Sequence, residues 1–184
     1  MQEISLNKKL LKCAFSIYIF LLAWILLFKC FSYLLFETIE YNLLFSLEKR
    51  FFSKLLIPFY AIYQFISFKD FEEIFFLILD IILYIPMGIF ICFFCNKKQA
   101  FVWILISIFI IEIIQPFLLI GGFDSTDIIT NFLGGFLGVF LYEKYRKKTS
   151  DNTINKICKH VVIWGSLICI LAIIYSIINI INFL

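Results

Sequence analysis

Charged residues are scarce in this chain. Only 16% of its 184 residues are Asp, Glu, Lys or Arg, whereas 63% are hydrophobic. A soluble domain of this size needs many more polar side chains to cover its exterior. The mean hydropathy of +1.02 instead suits a surface that faces lipid. The sequence therefore excludes an ordinary soluble fold and predicts an integral membrane protein.

Linkers and familiar catalytic motifs are also missing. The chain has three prolines, seven glycines and no long polar stretch, so we expect a single membrane domain. It contains no Gly-rich phosphate loop, no H-E-x-x-H and no G-x-S-x-G. Nothing in the sequence predicts a cofactor or nucleic-acid binding.

Cysteine and histidine are too dispersed to predict a metal centre. Cys92 and Cys95 form a C-x-x-C, but no second pair follows and the single histidine, His160, is remote in sequence. Because the six cysteines lie mostly in or beside apolar runs, a disulfide framework is not expected either. We interpret them as packing residues of membrane helices, and no metal site is predicted.

Five apolar runs are long enough to cross about 30 Å of hydrocarbon, which takes roughly 20 helical residues. They lie approximately at Cys13–Phe36, Ile74–Cys95, Gln99–Ile120, Phe123–Tyr142 and Val161–Asn182. The sequence therefore predicts an all-α fold, a polytopic transmembrane helix bundle of about five spans. We read the first run as an uncleaved helix, because no signal-peptidase site follows it.

A sixth apolar stretch, Leu55–Phe68, contains Pro58 and is too short to span the membrane. It follows basic and aromatic residues, a pattern typical of a segment that lies on the membrane surface. A re-entrant segment is the alternative.

The basic residues predict the orientation of the bundle. With the N-terminus inside, eleven basic residues face the cytoplasm, namely Lys8, Lys9, Lys12, Lys97, Lys98, Lys144, Arg146, Lys147, Lys148, Lys156 and Lys159. Five face outwards, namely Lys29, Lys49, Arg50, Lys54 and Lys69. The positive-inside rule therefore favours an N-in and C-out arrangement.

This topology divides the chain into four parts. Residues 1–12 form a cytoplasmic N-terminus, and residues 13–142 form the membrane core with an external interfacial segment near 47–70. Residues 143–160 form a basic cytoplasmic loop, and residues 161–184 form the C-terminal transmembrane helix.

Polar side chains inside the predicted spans need a reason, because charge in hydrocarbon is costly. Asp80 lies about two turns into the second span, and Glu112 lies about two turns from the outer end of the third. Gln115 follows Glu112 by three residues and shares its helical face. By the predicted topology these groups occupy the outer half of the bilayer.

The fourth span adds a further polar face at the same depth. Asp127, Asn131, Gly134 and Gly138 fall at helical spacing on one side of it. The candidate ligand-binding residues are therefore Asp80, Glu112, Gln115, Asp124, Asp127 and Asn131. If the protein is catalytic, the candidates are Glu112, Asp127 and Asp80, since carboxylates in different environments can divide acid and base roles.

Several of these residues also have structural interpretations. Asp124 and Asp127 have the spacing of an N-cap and a third-position acid at a helix start. Gly134 and Gly138 allow close helix packing. Pro86 and Gly88 are typical of a kink in the second span.

The order of these motifs resembles the VanZ-like family. The resemblance rests on Glu112-x-x-Gln115, on Asp127-x-x-x-Asn131 with its following glycines, on Asp80 to Gly88, and on Leu56-Ile-Pro-Phe. It covers the membrane core from about Leu56 to Tyr142. Two positions depart from the family pattern: Asp80 stands where Asn is usual, and Gly121-Gly122 replaces an Arg found in many members.

The resemblance implies a multi-pass protein of the bacterial plasma membrane, similar to one that raises resistance to teicoplanin-type glycopeptides. Our leading hypothesis is a non-enzymatic envelope protein whose outward-facing acidic site binds a lipid-linked precursor or a glycopeptide. The alternatives are a membrane enzyme acting on a lipid-linked or peptide substrate, and a small ion-coupled transporter. Membrane lipids are the expected partners, and the sequence does not specify an oligomeric state.

Overall fold

The computed structural model of the protein describes residues 5–28, 71–117 and 123–183. The predicted interfacial segment at Leu55–Phe68 and the Gly121-Gly122 pair lie outside the described residues.

The described part of the chain is helical, with no strand. Helix α1 is Lys8–Phe28, α2 is Phe71–Cys92, α3 is Lys97–Phe117, α4 is Ser125–Tyr145 and α5 is Asp151–Phe183. A short 3₁₀ turn at Arg146–Lys148 precedes α5. The predicted all-α fold is confirmed, with one helix at each of the five predicted spans.

Three of these helices are long and apolar enough throughout to cross a membrane, through the stretches Lys8–Leu26, Lys97–Phe117 and Asp151–Tyr175. Helix α2 contributes a shorter apolar stretch, Leu77–Cys92. Helix α4 is less apolar because it carries acid, amide and hydroxyl side chains in its first two turns. The less apolar α4 is therefore the helix that carries the Asp127–Asn131 face, whereas α2 carries Asp80 in an otherwise strongly apolar sequence.

Helix α5 begins about three turns earlier than the predicted span at Val161. The Ser150 hydroxyl accepts a hydrogen bond from the Thr153 N–H at 3.2 Å and so caps the helix. Most of the predicted loop at residues 143–160 is consequently helical. With 33 residues, α5 is about 50 Å long, which exceeds the hydrocarbon thickness and leaves its basic first turns for the headgroup region.

The described chain forms two compact units. One unit combines the residues up to Trp24 with those from Tyr145 onward, and the other runs from Ile25 to Lys144.

In the first unit, α1 and α5 run parallel. The Asn155 Oδ1 accepts a hydrogen bond from the Asn7 N–H at 2.9 Å. Ten residues further along both helices, Ile17 packs against Gly165. Both contacts pair residues that are 148 apart in sequence (155 − 7 and 165 − 17). Because the residue numbers increase together along both helices, the two helices point in the same direction.

In the second unit, glycines bring α2 and α4 into backbone contact. A Cβ on Gly134 would collide with the Ile81 carbonyl of α2, and a Cβ on Gly138 would collide with the Ile85 carbonyl. A Cβ on Gly88 would in turn lie 2.8 Å from the Val139 nitrogen. Contacts that advance together along both helices show that α2 and α4 are parallel. Gly134 and Gly138 thus have the packing role predicted for them. Gly88, which the sequence groups with Pro86 as a kink, instead packs against α4, and α2 continues through Pro86 without a break.

Helix α3 packs antiparallel against α4. Near its start, Lys97 forms a 2.8 Å ion pair with Glu143 at the end of α4. Phe101 stacks on Phe136 with ring centroids 5.9 Å apart, and the Ile104 side chain fills the space above Gly135. The opposite end of α3 therefore reaches the start of α4.

The glycine contacts predict unequal effects of adding one methyl group. Gly138→Ala should lower stability by about 1–3 kcal/mol, because the new Cβ meets the rigid Ile85 backbone. Gly135→Ala is the matched control, since its Cβ meets only the Ile104 side chain, which can rotate away. Thermal unfolding in detergent measures both. Equal losses would contradict the backbone contact.

Candidate functional site

Residues of α2 and α4 face each other at successive helical turns along the contact between the two helices. We call this line of contact the seam and each turn a level. Gly88 contacts Gly135 at one level. Tyr84 of α2 and Asn131 of α4 lie one helical turn before this level. Asp80 of α2 and Asp127 of α4 lie one further turn before it. Because the helices are parallel, a contact at one level places the residues four and eight positions earlier on the same seam. The glycine level sets the distance between the two helices, and the polar residues lie one and two turns before it in both helices.

The Tyr84–Asn131 level is fully buried and has unused hydrogen-bonding capacity. Tyr84 is 0% exposed and Asn131 is 2% exposed. Among the described residues, neither the Tyr84 hydroxyl nor the Asn131 Oδ1 makes a hydrogen bond of standard geometry. The Ser107 hydroxyl of α3, which donates to the Ile104 carbonyl at 2.7 Å, lies close enough to the Tyr84 hydroxyl to accept a weak hydrogen bond from it. Buried polar atoms rarely lack partners, so this level is a candidate ligand-binding position.

Carboxylates gather at the next level. Asp80 is 0% exposed and Glu112 is 1% exposed, although both are acidic. The Glu112 carboxylate interacts electrostatically with Asp127, Asp124 and Asp80, and the Tyr84 hydroxyl interacts with Glu112 and Asp80. Helices α2, α3 and α4 thus each contribute acidic groups to one largely buried region.

Two of the predicted site residues cap α4. The Asp124 Oδ1 accepts a hydrogen bond from the Thr126 N–H at 2.7 Å, as an N-cap side chain does. The Glu112 Oε2 accepts a hydrogen bond from the Asp124 N–H at 3.1 Å. In a capping box, the acceptor for the N-cap N–H is an acidic side chain of the same helix. Here the acceptor is Glu112 of α3. Glu112 therefore positions the start of α4 as well as supplying the central carboxyl group of the site.

Gln115 satisfies the end of another helix. Its Nε2 donates a hydrogen bond to the Leu26 carbonyl in the last turn of α1 at 3.2 Å. The last carbonyls of a helix have no partner within it, and lipid offers none. Gln115 shares the face of Glu112, but its amide holds a helix end, so we assign it a structural role beside the acidic region.

Tyr84 is the site residue that sequence reasoning missed. The available signal is its place four residues after Asp80, which puts both side chains on one face. Tyrosine is so common in membrane helices that its residue type alone does not distinguish it. Thr126 and Thr130 are also buried beside the site. Thr130 donates to the Thr126 carbonyl at 3.1 Å and so uses its hydroxyl within α4.

Oxygen groups dominate the site, and within the described residues no three His, Cys, Asp or Glu side chains are placed to hold a metal ion. The C-x-x-C lies elsewhere, at the end of α2. Its Cys95 donates a hydrogen bond to the Ile91 carbonyl at 3.3 Å, and burial raises the pKa of that thiol. A raised thiol pKa favours the unreactive protonated form at neutral pH. Chemically, the acidic region can accept hydrogen bonds or protons from a bound group.

The capping geometry predicts how Asp124 tolerates substitution. Asp124→Ala should lower stability by about 1 kcal/mol, because the Thr126 N–H loses its acceptor. Asp124→Asn keeps an acceptor oxygen and should remain within a few tenths of a kcal/mol of the wild type. Chemical or thermal unfolding in detergent distinguishes the two. A comparable loss in both variants would show that the charge of Asp124 matters and not its cap.

Comparison with known proteins places this arrangement in a family. Protein VanZ from Enterococcus faecium is 29% identical over 177 residues, which cover 92% of this chain and 94% of that protein. No solved structure matches the chain. A sequence model of the VanZ/LLP1 family matches residues 15–146, a range that contains the whole polar site. On this match and on its apolar helices, the chain is a membrane protein that belongs to the VanZ/LLP1 family.

Proposed function

We propose that the protein is a multi-pass protein of the bacterial plasma membrane that binds an amphiphilic envelope ligand in its buried polar site. The ligand is a lipid-linked precursor or a teicoplanin-type glycopeptide, and its capture raises tolerance of that antibiotic class. The ligand-contacting groups are Asp80, Tyr84, Glu112, Asp127 and Asn131, whereas Gln115 and Asp124 position the helices around them.

The observation that carries this proposal is the unmet hydrogen bonding of the buried Asn131 Oδ1, together with a Tyr84 hydroxyl that makes no hydrogen bond of standard geometry. A buried polar group without a partner costs about 1–3 kcal/mol, which a bound ligand recovers by supplying the partner. The Tyr84 hydroxyl can donate, and the Asn131 Oδ1 can only accept. A ligand group that both accepts and donates, such as a sugar hydroxyl or a peptide amide, complements the pair. Lipid-linked envelope precursors and glycopeptides both carry such groups.

The position of the site along the helices supports access from outside. Asp80 lies in the first half of α2, Glu112 lies near the end of α3, and Asp127 lies in the first turn of α4. The opposite end of these helices carries Lys97, Lys98 and Lys144. If the basic end faces the cytoplasm, the polar site lies in the outer half of the bilayer.

The parallel pairing of α1 and α5 supports five crossings. Helices that cross in succession alternate in direction, so a helix that is parallel to the first crossing must itself be an odd-numbered crossing. With α2, α3 and α4 between them, α5 is the fifth. A crossing by Leu55–Phe68 would make α5 the sixth and antiparallel to α1. We therefore propose the N-in and C-out topology, with residues 47–70 on the outer side.

Fusion reporters test this topology. A fluorescent protein fused after Lys148 should fold and fluoresce, because that position is cytoplasmic in the proposed arrangement. Alkaline phosphatase fused after Leu184 should be active, because that position is external. Exchanging the two reporters is the control and should silence both. Active phosphatase after Lys148 would overturn the orientation and the outward-facing site with it.

Antibiotic susceptibility tests the binding site. In a strain expressing the wild type, we expect a raised minimal inhibitory concentration for teicoplanin. Tyr84→Phe and Asn131→Leu should each lose most of that rise, because one hydrogen bond of about 1–1.5 kcal/mol corresponds to roughly tenfold in affinity. Glu112→Gln should abolish it.

Glu143→Gln is the matched control, since Glu143 is an exposed carboxylate at the opposite end of the bundle. It should leave tolerance unchanged. Membrane levels and thermal stability are measured for every variant, so that loss of folding is recognised. Full tolerance in stable Tyr84→Phe and Asn131→Leu variants would refute the proposed site.

A further inference from the structure

A strongly basic surface lies in the unit that contains α1 and α5. The described residues of this unit carry eight basic side chains, namely Lys8, Lys9, Lys12, Arg146, Lys147, Lys148, Lys156 and Lys159. They carry one acidic side chain, Asp151, which forms a 2.8 Å ion pair with Arg146. The seven lysines have no ion pair with any described residue, and all seven are exposed. We refer to these seven lysines as the lysine surface.

Side-chain hydrogen bonds hold the segments of this surface at one level. Asp151 accepts a hydrogen bond from the Leu6 N–H at 3.0 Å and pairs with Arg146 through its other oxygen. The Asn155 side chain accepts from the Asn7 N–H at 2.9 Å and donates to the Ser5 carbonyl at 3.0 Å. These bonds tie the start of α1, the 3₁₀ turn and the start of α5 together. The lysines that follow each tie therefore form one surface and not three separate loops.

The helix ends at this surface add to its positive potential. The first N–H groups of α1 and α5 point in the same direction, and the positive ends of the two helix dipoles lie side by side. The caps are already made: the Asn7 Oδ1 accepts from the N–H groups of Lys9 and Leu10, both at 3.1 Å. The helix ends thus contribute to the field, while the lysine ammonium groups are the ones left to bind an anion.

Apolar surface begins immediately beside the lysines. Ile157 is exposed within the basic stretch, and Ile163 and Trp164 are exposed one turn beyond His160. Trp164 is 58% exposed, and Trp is enriched at the boundary between headgroups and hydrocarbon. From there on, the side chains of α5 are largely exposed and apolar, as expected for a helix that faces lipid. The lysine surface consequently lies at the level of the lipid headgroups.

We propose that the lysine surface is a docking site for anionic phospholipid headgroups, with their acyl chains lying along the apolar face of α5. The charge is complementary, since ammonium groups bind phosphate oxygens and an anionic leaflet attracts clustered lysines. The adjoining exposed apolar face selects a lipid over a soluble anion or a nucleic acid. The hydrogen bonds at Asp151 and Asn155 hold the lysines in place before the lipid binds. The site is separate from the acidic region and does not depend on the proposed function.

The test uses the full chain in detergent micelles titrated with defined phospholipids. Phosphatidylglycerol and cardiolipin should raise the melting temperature and remain bound in native mass spectrometry, whereas phosphatidylcholine should do neither. Lys156→Gln with Lys159→Gln should weaken the apparent lipid affinity by roughly 25-fold, because each lysine near an anionic surface contributes about a fivefold factor. Lys147→Gln with Lys148→Gln should act in the same direction.

Lys97→Gln with Lys98→Gln is the matched control, because it removes two charges from the other unit. It should leave the lipid affinity within a factor of two of the wild type. An equal response to phosphatidylcholine would overturn the proposal. So would an equal loss in the control variant, which would show a response to net charge alone. A melting shift reproduced by inorganic phosphate would show a free-anion site and would overturn it as well.

Discussion

The backbone contact between α2 and α4 is the constraint on which the rest of the second unit depends. Only glycine at positions 88, 134 and 138 lets the two helices come this close, because any Cβ would meet the facing backbone. The contact fixes the register of the seam, and in this register Tyr84 and Asn131 fall at one level and Asp80 and Asp127 at the next. Without the glycine contact, the polar side chains of α2 and α4 would have no fixed alignment with each other.

Glu112 and Gln115 both bond the backbone at helix ends and bring polar groups to the site region. They do so because the surroundings are apolar. In lipid, a helix end cannot leave its backbone groups to water, so side chains must satisfy them. Glu112 accepts the N–H of Asp124 and Gln115 donates to the carbonyl of Leu26. These bonds join the end of α3 to the start of α4 and to the end of α1. The same bonds gather the acidic groups, so that the architecture and the candidate site share residues.

Much of this follows from the sequence. The scarcity of charge predicts a membrane protein, and the apolar runs predict its helices at nearly the observed positions. Helical spacing predicts the packing role of Gly134 and Gly138, and the D-x-x-D pattern predicts the cap at Asp124. The family resemblance, carried by Glu112, Gln115, Asp127 and Asn131, is confirmed by the family match over residues 15–146. The start of α5 at Asp151 differs from the prediction because hydropathy detects the apolar part of a helix and not its capped polar beginning.

By itself, the sequence determined composition, helix periodicity and local caps, since these depend on neighbours along the chain. The tertiary structure alone decided which polar groups have partners. Tyr84 was indistinguishable from any other membrane tyrosine until the α2–α4 register buried it beside Asn131 and the carboxylates. The sequence groups Gln115 with the acids, whereas in the fold its amide donates to the Leu26 carbonyl of α1. Both outcomes depend on contacts between residues far apart in sequence, and helical periodicity carries no information about which face of which helix such a residue will meet.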